Sequence, residues 1–145
     1  YAMATGYKIS RDKKRWTIEL RPEAKFSNGE AITAASVRDA WLELLSNPNA
    51  PYASLLDIVR GAEDFRNGTG RAEDVGIYAT DEHTLSIYLV KPANYLPKVL
   101  CHSSFAVIHR NPTVYSGPFK LEDYSGTTYI LKKNPFYWDS SKVKL

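Results

Sequence analysis

The chain has 145 residues, of which 43% are hydrophobic and 12% aromatic, and it carries a formal net charge of +3. This length suits one domain whose core can be packed without disulfides or structural metals. The small, mixed charge excludes the basic stripe of a nucleic-acid-binding protein, so we expect no nucleic-acid partner.

The number of cysteines and the hydropathy exclude further classes of protein. The single cysteine, Cys101, excludes an internal disulfide and a multi-cysteine metal site. No apolar run reaches the ~18 residues of a membrane span. The chain starts at Tyr1-Ala2-Met3 with no recognisable signal peptide. We therefore expect it to be a piece of a longer protein.

The first predicted elements are a strand and a tight turn. Trp16, Ile18 and Leu20 alternate with polar residues, which is the period of a half-buried strand. The basic cluster Lys13–Arg15 predicts a solvated hairpin tip before this strand, and an anionic partner is the alternative interpretation. Ser27-Asn28-Gly29 predicts a turn, because glycine adopts positive φ without steric cost.

Two helices are predicted next. Thr33 is a plausible N-cap for the first, because its hydroxyl can accept from an unpaired backbone N–H. One apolar stripe follows at helical spacing, formed by Val37, Ala40, Trp41, Leu44 and Leu45. Asn47–Pro51 ends this helix, because proline cannot continue the hydrogen-bond ladder. A second helix is predicted from Pro51 to Asn67, with an apolar stripe formed by Leu55, Ile58, Val59, Ala62 and Phe65.

The remainder reads as strands with one short helix. Alternating apolar residues on either side of Asp81-Glu82 predict an antiparallel hairpin. Asn94–Cys101 predicts a short helix, and Phe105–Ile108 a short apolar strand.

The residues that could carry chemistry do not form a recognisable catalytic or metal motif. His102 and His109 lack the His-x-x-x-His spacing, and His83 falls at the predicted hairpin turn, where we expect a solvated ring. The segment Cys101–Ser104 holds a thiol, an imidazole and hydroxyls. No Gly-x-Ser-x-Gly elbow accompanies it, and neighbours in sequence are rarely placed as nucleophile and base. We predict no catalytic residue, no metal site and no cofactor.

Several segments carry a family resemblance. Residues 20–41, LRPEAKFSNGEAITAASVRDAW, resemble the signature of the extracellular solute-binding proteins of ABC importers, the family of oligopeptide-, dipeptide- and nickel-binding receptors. Ser36 departs from this pattern, since the family usually has an acidic residue there that completes a capping box, and we expect a weaker helix start.

Later segments extend the resemblance over nearly the whole chain. PYASLLDI, GAEDF and VGIYATDEHTLSIYLVKP resemble the family's middle segments, and SGPFKL and YILKKNPFYW resemble its Gly-Pro-Tyr/Phe-x-Leu and Asn-Pro-x-Tyr-Trp strands. In these receptors some 15–25 residues usually lie between the preceding strand and Gly-Pro-Phe. Here His109–Tyr115 leaves almost none, so either the connection is short or residues are missing.

The resemblance implies a fold and a division of the chain. It implies an α+β fragment, with antiparallel strands packed on two principal helices, from a large three-lobed receptor of the type II periplasmic-binding-protein class. Residues 1–110 would form the small second domain, and residues 111–145 would be strands returning to the main lobe. The main binding groove would lie outside this chain, between the main lobe and a third lobe.

The resemblance also implies a function. The receptor would be a non-catalytic, monomeric protein in the periplasm or anchored to the cell surface as a lipoprotein. It would close its lobes over a peptide ligand and deliver it to an ABC permease of the inner membrane. By match to the family, the residues that approach the ligand would be Tyr52, Ser54, His102, Ser103, Ser104 and Phe105.

Three alternatives remain open. A nickel or metallophore receptor of the same family is the nearest, although a bare-metal site needs several convergent histidines or carboxylates. A hydrolase that uses Cys101 would show a depressed thiol pKa. A stand-alone interaction domain would bind no small ligand.

Overall fold

The computed structural model describes residues 3–144, which fall into two units. The first comprises the chain up to Arg21 together with Thr33–Ala106, and the second comprises Pro22–Ile32 with the chain from Val107 onward. The predicted α+β class with antiparallel strands is confirmed. The predicted assignment of residues 1–110 and 111–145 to lobes of a receptor stays a prediction.

The first unit is built on a four-stranded antiparallel sheet. Its strands are β1 (Ala4–Ile9), β2 (Arg15–Leu20), β3 (Ile77–Ala79) and β4 (Thr84–Tyr88), in the order β1-β2-β4-β3. One face is buried and carries the alternating apolar residues Trp16, Leu20, Ile77, Leu85 and Ile87. The predicted strand at Trp16 and the predicted hairpin around Asp81-Glu82 are therefore confirmed.

Helix α1 (Ala34–Ser46) packs on this unit's core through Val37, Trp41 and Leu45. The Thr33 hydroxyl accepts from the Ser36 N–H at 3.2 Å, and the Ser36 hydroxyl accepts from the Thr33 N–H at 3.2 Å. This reciprocal pair is a complete capping box. The expected weakening of the helix start at Ser36 is wrong, because a serine hydroxyl supplies the acceptor that the family's acidic residue would supply.

The capping pair gives a stability prediction. Thr33→Ala removes the side-chain acceptor for the first turn and is expected to lower the free energy of unfolding by about 1 kcal/mol. Ser36→Ala removes only the bond back to Thr33 and should cost less. Urea denaturation of both variants checks this, and an equal loss in the two would contradict the assigned roles.

The predicted second helix is wrong, because the segment is broken in the middle. It forms a 3₁₀ helix at Ala53–Leu56 and a short helix α2 at Ala62–Arg66. Between them Val59 pairs with Leu89 in an antiparallel bridge, and Gly61 adopts φ +72°. Backbone hydrogen bonds to the end of β4 thus replace the helical ladder here.

The next segments confirm one prediction and overturn another. Helix α3 (Leu96–Leu100) lies within the predicted helix Asn94–Cys101. The strand predicted over Phe105–Ile108 is wrong, because Ser103–Phe105 forms a 3₁₀ turn and the residues after it are irregular. A further 3₁₀ turn lies at Ala72–Asp74.

The second unit contains the hairpin of β5 (Phe119–Tyr124) and β6 (Tyr129–Lys133), followed by a 3₁₀ turn at Ser140–Lys142. The strand that the resemblance of SGPFKL implies is confirmed by β5, and β6 lies within the matched segment YILKKNPFYW. The fully buried Asn134 follows β6; its amide donates to the Gly117 carbonyl at 2.9 Å and its side-chain oxygen accepts from the Phe136 N–H at 3.0 Å. Gly29 has φ +91°, as the predicted turn requires.

Among residues 3–144, no helix has both the length and the apolar character needed to cross a membrane.

Candidate functional site

The candidate site is an aromatic pair from two separate parts of the first unit. Tyr52 lies after the end of α1, and His102 lies after the end of α3. Their ring centroids are 4.6 Å apart, with the ring planes inclined by 50°. The structure thus brings together two residues that the family resemblance had selected from distant segments.

Tyr52 is exposed and its backbone is strained. It precedes the 3₁₀ helix Ala53–Leu56 with φ +63°, a left-handed conformation that a bulky residue rarely adopts. Its side chain is 60% exposed, and its hydroxyl forms no hydrogen bond with any residue in the described part of the chain. Tyr52 is therefore largely accessible from outside.

His102 is half-buried and its tautomer follows from its hydrogen bond. The Nδ1 atom accepts from the Ser104 N–H at 3.2 Å, so in the neutral ring the proton is assigned to Nε2. This bond caps the turn Ser103–Phe105, and it explains why a turn forms where a strand was predicted. The Nε2–H group is left as a donor for a ligand.

Behind the pair, two buried aromatic residues fix the turn. The Phe105 ring centroid is 6.2 Å from that of His102 and 6.4 Å from that of Trp41. The Trp41 indole N–H donates to the Phe105 carbonyl at 3.0 Å. A continuous series of aromatic side chains therefore runs from helix α1 in the core to Tyr52 on the surface.

The other predicted site residues are placed differently. Ser54 and Ser103 are exposed, and their hydroxyls form no hydrogen bond within residues 3–144. Ser104 is half-buried and contributes its backbone N–H to His102. The structure joins Tyr52, His102, Ser104 and Phe105 in one cluster, and it does not tie Ser54 or Ser103 to that cluster.

The arrangement suits binding. It offers a flat apolar ring, a hydroxyl that can donate or accept, and an imidazole N–H donor, groups that match a peptide backbone and side chain. Cys101 is exposed and unbridged. No group of three or more His, Cys, Asp or Glu residues in the described part of the chain is placed to hold a metal ion.

The remaining histidines have other surroundings. His83 is half-buried with Nδ1 enclosed and without a hydrogen-bond partner among the described residues, so the expected solvated ring is wrong. In the second unit His109 Nε2 lies 2.8 Å from Glu30 Oε2, and its Nδ1 accepts from the Asn111 N–H at 3.0 Å. The hydrogen bond from His109, followed by the contact with Asn28, lowers the pKa of Glu30.

Sequence reasoning missed the support that Trp41 gives to the site. Trp41 was predicted only as a core residue of the helix stripe, and its hydrogen bond to Phe105 depends on a contact across 64 residues of sequence. No local pattern signals such a pairing. The left-handed backbone of Tyr52 was also missed, since this conformation is expected of glycine or asparagine and not of tyrosine.

Comparison with known proteins gives consistent matches over the whole chain. A family model described as "Bacterial extracellular solute-binding proteins, family 5 Middle" matches residues 1–145. The dipeptide-binding protein DppE of Bacillus subtilis is 30% identical over 99% of this chain and 29% of its own length. The chain thus spans under a third of this relative.

Solved structures agree with the fold. A structure of Listeria monocytogenes OppA bound to peptide superimposes with a TM-score of 0.89 at 33% identity, covering 100% of this chain and 32% of that one. The substrate-binding domain of an oligopeptide ABC transporter from Bacillus anthracis gives a TM-score of 0.91 at 31% identity, covering 99% of this chain and 31% of that one. Both are similar to this chain over its full extent.

Proposed function

The chain belongs to the bacterial extracellular solute-binding proteins of family 5, and from this membership we propose that it is part of the receptor of a peptide ABC importer. In this proposal the whole receptor captures oligopeptides or dipeptides outside the cytoplasmic membrane and delivers them to a permease. The relatives are named as binding proteins, which supports the proposal. In this proposal the receptor is non-catalytic, monomeric and exported.

The observation that carries the proposal for the site is the Tyr52–His102 pair. A bulky residue stays in a left-handed conformation only when its surroundings hold it there, and such strain is concentrated at functional positions. Here the strained residue places an exposed ring beside the His102 ring, with 4.6 Å between the ring centroids. We therefore place Tyr52 and His102 at the ligand cleft, with Ser54, Ser103 and Ser104 beside them and Phe105 behind.

The exposed hairpin of the second unit supports the expectation that further parts of the receptor pack against this chain. Every residue of β6 is exposed, including the apolar Tyr129, Ile130 and Leu131. A two-stranded hairpin is at best marginally stable by itself in water. We propose that β5 and β6 are the strands that return to the main lobe, where further strands cover them.

The test of ligand class is native mass spectrometry of the full-length receptor, purified gently from cells. The expected result is a series of added masses in amino-acid steps that disappears on denaturation. A single added mass equal to a metal or a chelate would overturn the peptide proposal in favour of a nickel-type receptor. A protein without added mass that also fails to bind a peptide library would favour an interaction domain.

The contribution of Tyr52 is tested by substitution in the same receptor. Tyr52→Ala is expected to weaken peptide binding about tenfold, because an aromatic contact with a hydroxyl is worth roughly 1.4 kcal/mol. Tyr52→Phe keeps the ring and should lose only part of this affinity. Calorimetric titration of each variant with a peptide identified by the mass spectrometry measures both affinities.

Tyr95→Ala is the matched control, since Tyr95 is an exposed tyrosine of the same unit at the start of α3. The peptide affinity of the Tyr95→Ala receptor should equal that of the wild type. Equal affinity of Tyr52→Ala and Tyr95→Ala would remove Tyr52 from the ligand site. Tyr52→Gly separates binding from folding, because glycine relieves the left-handed strain and should weaken binding without a large loss of stability.

A further inference from the structure

A second concave site lies on the first unit, around the tip of the β1–β2 hairpin. It is a cavity of about 360 Å³ whose wall includes Lys14, Arg15 and Arg60 together with Ser10, Asp12 and Tyr88. None of these residues belongs to the Tyr52–His102 cluster. The cavity has a size within the range of small-ligand sites.

The walls of this cavity are held by backbone hydrogen bonds. The Leu89 N–H donates to the Lys14 carbonyl at 2.7 Å, which ties the hairpin tip to the end of β4. The Arg60 N–H donates to the Tyr88 carbonyl at 2.9 Å, and the Arg60 carbonyl accepts from the Gly76 N–H at 2.7 Å. The cationic residues therefore extend from fixed positions on both sides.

The charge around the cavity is unbalanced. The side chains of Lys14, Arg15 and Arg60 form no ion pair within residues 3–144. The one carboxylate, Asp12, accepts from the Ser10 hydroxyl and from the Lys14 N–H, and these bonds lower its pKa. Asp12 is thus ionised, and its carboxylate already accepts these two hydrogen bonds. The three cationic side chains outnumber this single negative charge.

Arg60 is the cation whose orientation is fixed. Its Nη2 donates to the Tyr78 hydroxyl at 2.9 Å, and its Cζ lies 5.2 Å from the centre of the Tyr88 ring. A guanidinium held on an aromatic face keeps its remaining N–H donors in a planar fork, which matches the oxygens of phosphate. The other N–H groups of the Arg60 side chain have no acceptor among the described residues.

We propose that this cavity binds a phosphate group, carried either by a small phosphate ester or by a lipid headgroup. Arg60 supplies the oriented donors, and Lys14 and Arg15 supply further positive charge. The predicted solvated hairpin tip is then also an anion site, the alternative that Lys13–Arg15 suggested. This proposal does not depend on the peptide receptor function.

Titration of the full-length receptor with inorganic phosphate at low and constant ionic strength is the first test. One phosphate is expected to bind per chain. Arg60→Gln should weaken this binding by about tenfold or more, since a hydrogen bond to a charged group is worth roughly 1.5–3 kcal/mol. Lys14→Gln, at an exposed position of the tip, should weaken it by a smaller factor and does not depend on how well Arg60→Gln folds.

Arg71→Gln is the control, because Arg71 is an exposed arginine of the same unit that already pairs with Glu73. It should bind phosphate like the wild type. An equal loss in Arg71→Gln and Arg60→Gln would show a general charge effect and overturn the site. Peptide binding by Arg60→Gln in the full-length receptor should stay unchanged.

Sedimentation with vesicles separates the two sources of phosphate. Vesicles of phosphatidylglycerol and phosphatidylcholine in equal parts are compared with phosphatidylcholine alone. Binding to the anionic vesicles that Arg60→Gln abolishes identifies a lipid headgroup, and phosphate binding without vesicle binding identifies a small ester. If neither phosphate nor the anionic vesicles bind, the proposal is overturned.

Discussion

Trp41→Ala is expected to lower the free energy of unfolding by about 3–5 kcal/mol, the range for truncating a buried tryptophan. Trp41 is 6% exposed on the inner face of α1, and its indole N–H donates to the Phe105 carbonyl. The substitution leaves a cavity between helix and turn and an unpaired carbonyl at the base of the candidate site. Chemical denaturation of the chain measures the loss.

Trp41→Phe divides this effect into its parts. It keeps most of the ring volume but removes the hydrogen bond to Phe105, so we expect a loss of about 1–3 kcal/mol. The full-length receptor carrying Trp41→Phe should also bind peptide more weakly, because the turn that orients His102 loses its anchor. A loss below roughly 1 kcal/mol for Trp41→Ala would contradict a core position.

Gly61→Ala is the second substitution with a large expected effect, about 2–5 kcal/mol from left-handed strain and overpacking together. Gly61 has φ +72°, and a Cβ atom there would lie 2.5 Å from the Asp74 carbonyl oxygen. Backbone atoms cannot move aside as a flexible side chain can, so the break between the 3₁₀ helix and α2 would have to shift. Thermal or urea unfolding measures the change.

Gly68→Ala is the matched control for this prediction. Gly68 has φ +76°, but a Cβ atom at this position would have no described atom within 4 Å, so the substitution carries the backbone cost alone, about 1 kcal/mol. The difference between the two variants isolates the clash with Asp74. Equal losses would mean that the close approach at Gly61 is relieved without cost.

The two variants address two different proposed sites on the first unit. Trp41 acts through Phe105 and His102 on the surface that we place at the ligand cleft. Gly61 fixes the segment that positions Arg60 beside Tyr88, on the wall of the proposed phosphate site. If Gly61→Ala lost peptide binding at a temperature where it stays folded, the segment at Gly61 would be coupled to the ligand cleft. The structure does not predict this coupling.

Local sequence patterns were sufficient to predict a strand or a helix where one face of that element is buried. The alternation at Trp16, Ile18 and Leu20 predicted β2, and the spacing of Val37, Trp41 and Leu45 predicted α1, because burial on one side imposes a period of two or 3.6 residues. The Thr33 cap and the Gly29 turn were also predicted. In these cases the interaction lies within a few residues of sequence.

Local patterns failed where distant strands compete for the backbone. The stripe from Leu55 to Phe65 has helical spacing, yet Val59 pairs with Leu89 and Gly61 takes a positive φ. The apolar residues Phe105–Ile108 suggested a strand, but Phe105 ends a turn that the His102 side chain caps, and the residues after it are irregular. In the first segment hydrogen bonds to a distant strand outweighed the weak intrinsic preference for a helix, and in the second a side-chain cap two residues away favoured a turn.

The sequence by itself determined the family and the α+β class, because these depend on motifs and periodicities that are read along the chain. The ligand-binding role of Tyr52, Ser54 and His102–Phe105 stays a prediction. Only the tertiary structure decided that Tyr52 packs against His102 with tilted rings, that Trp41 supports this pair, and that Arg60 joins the hairpin tip. Each of these contacts joins residues far apart in sequence. Their geometry is set by the packing of the sheet and helices, which no local pattern encodes.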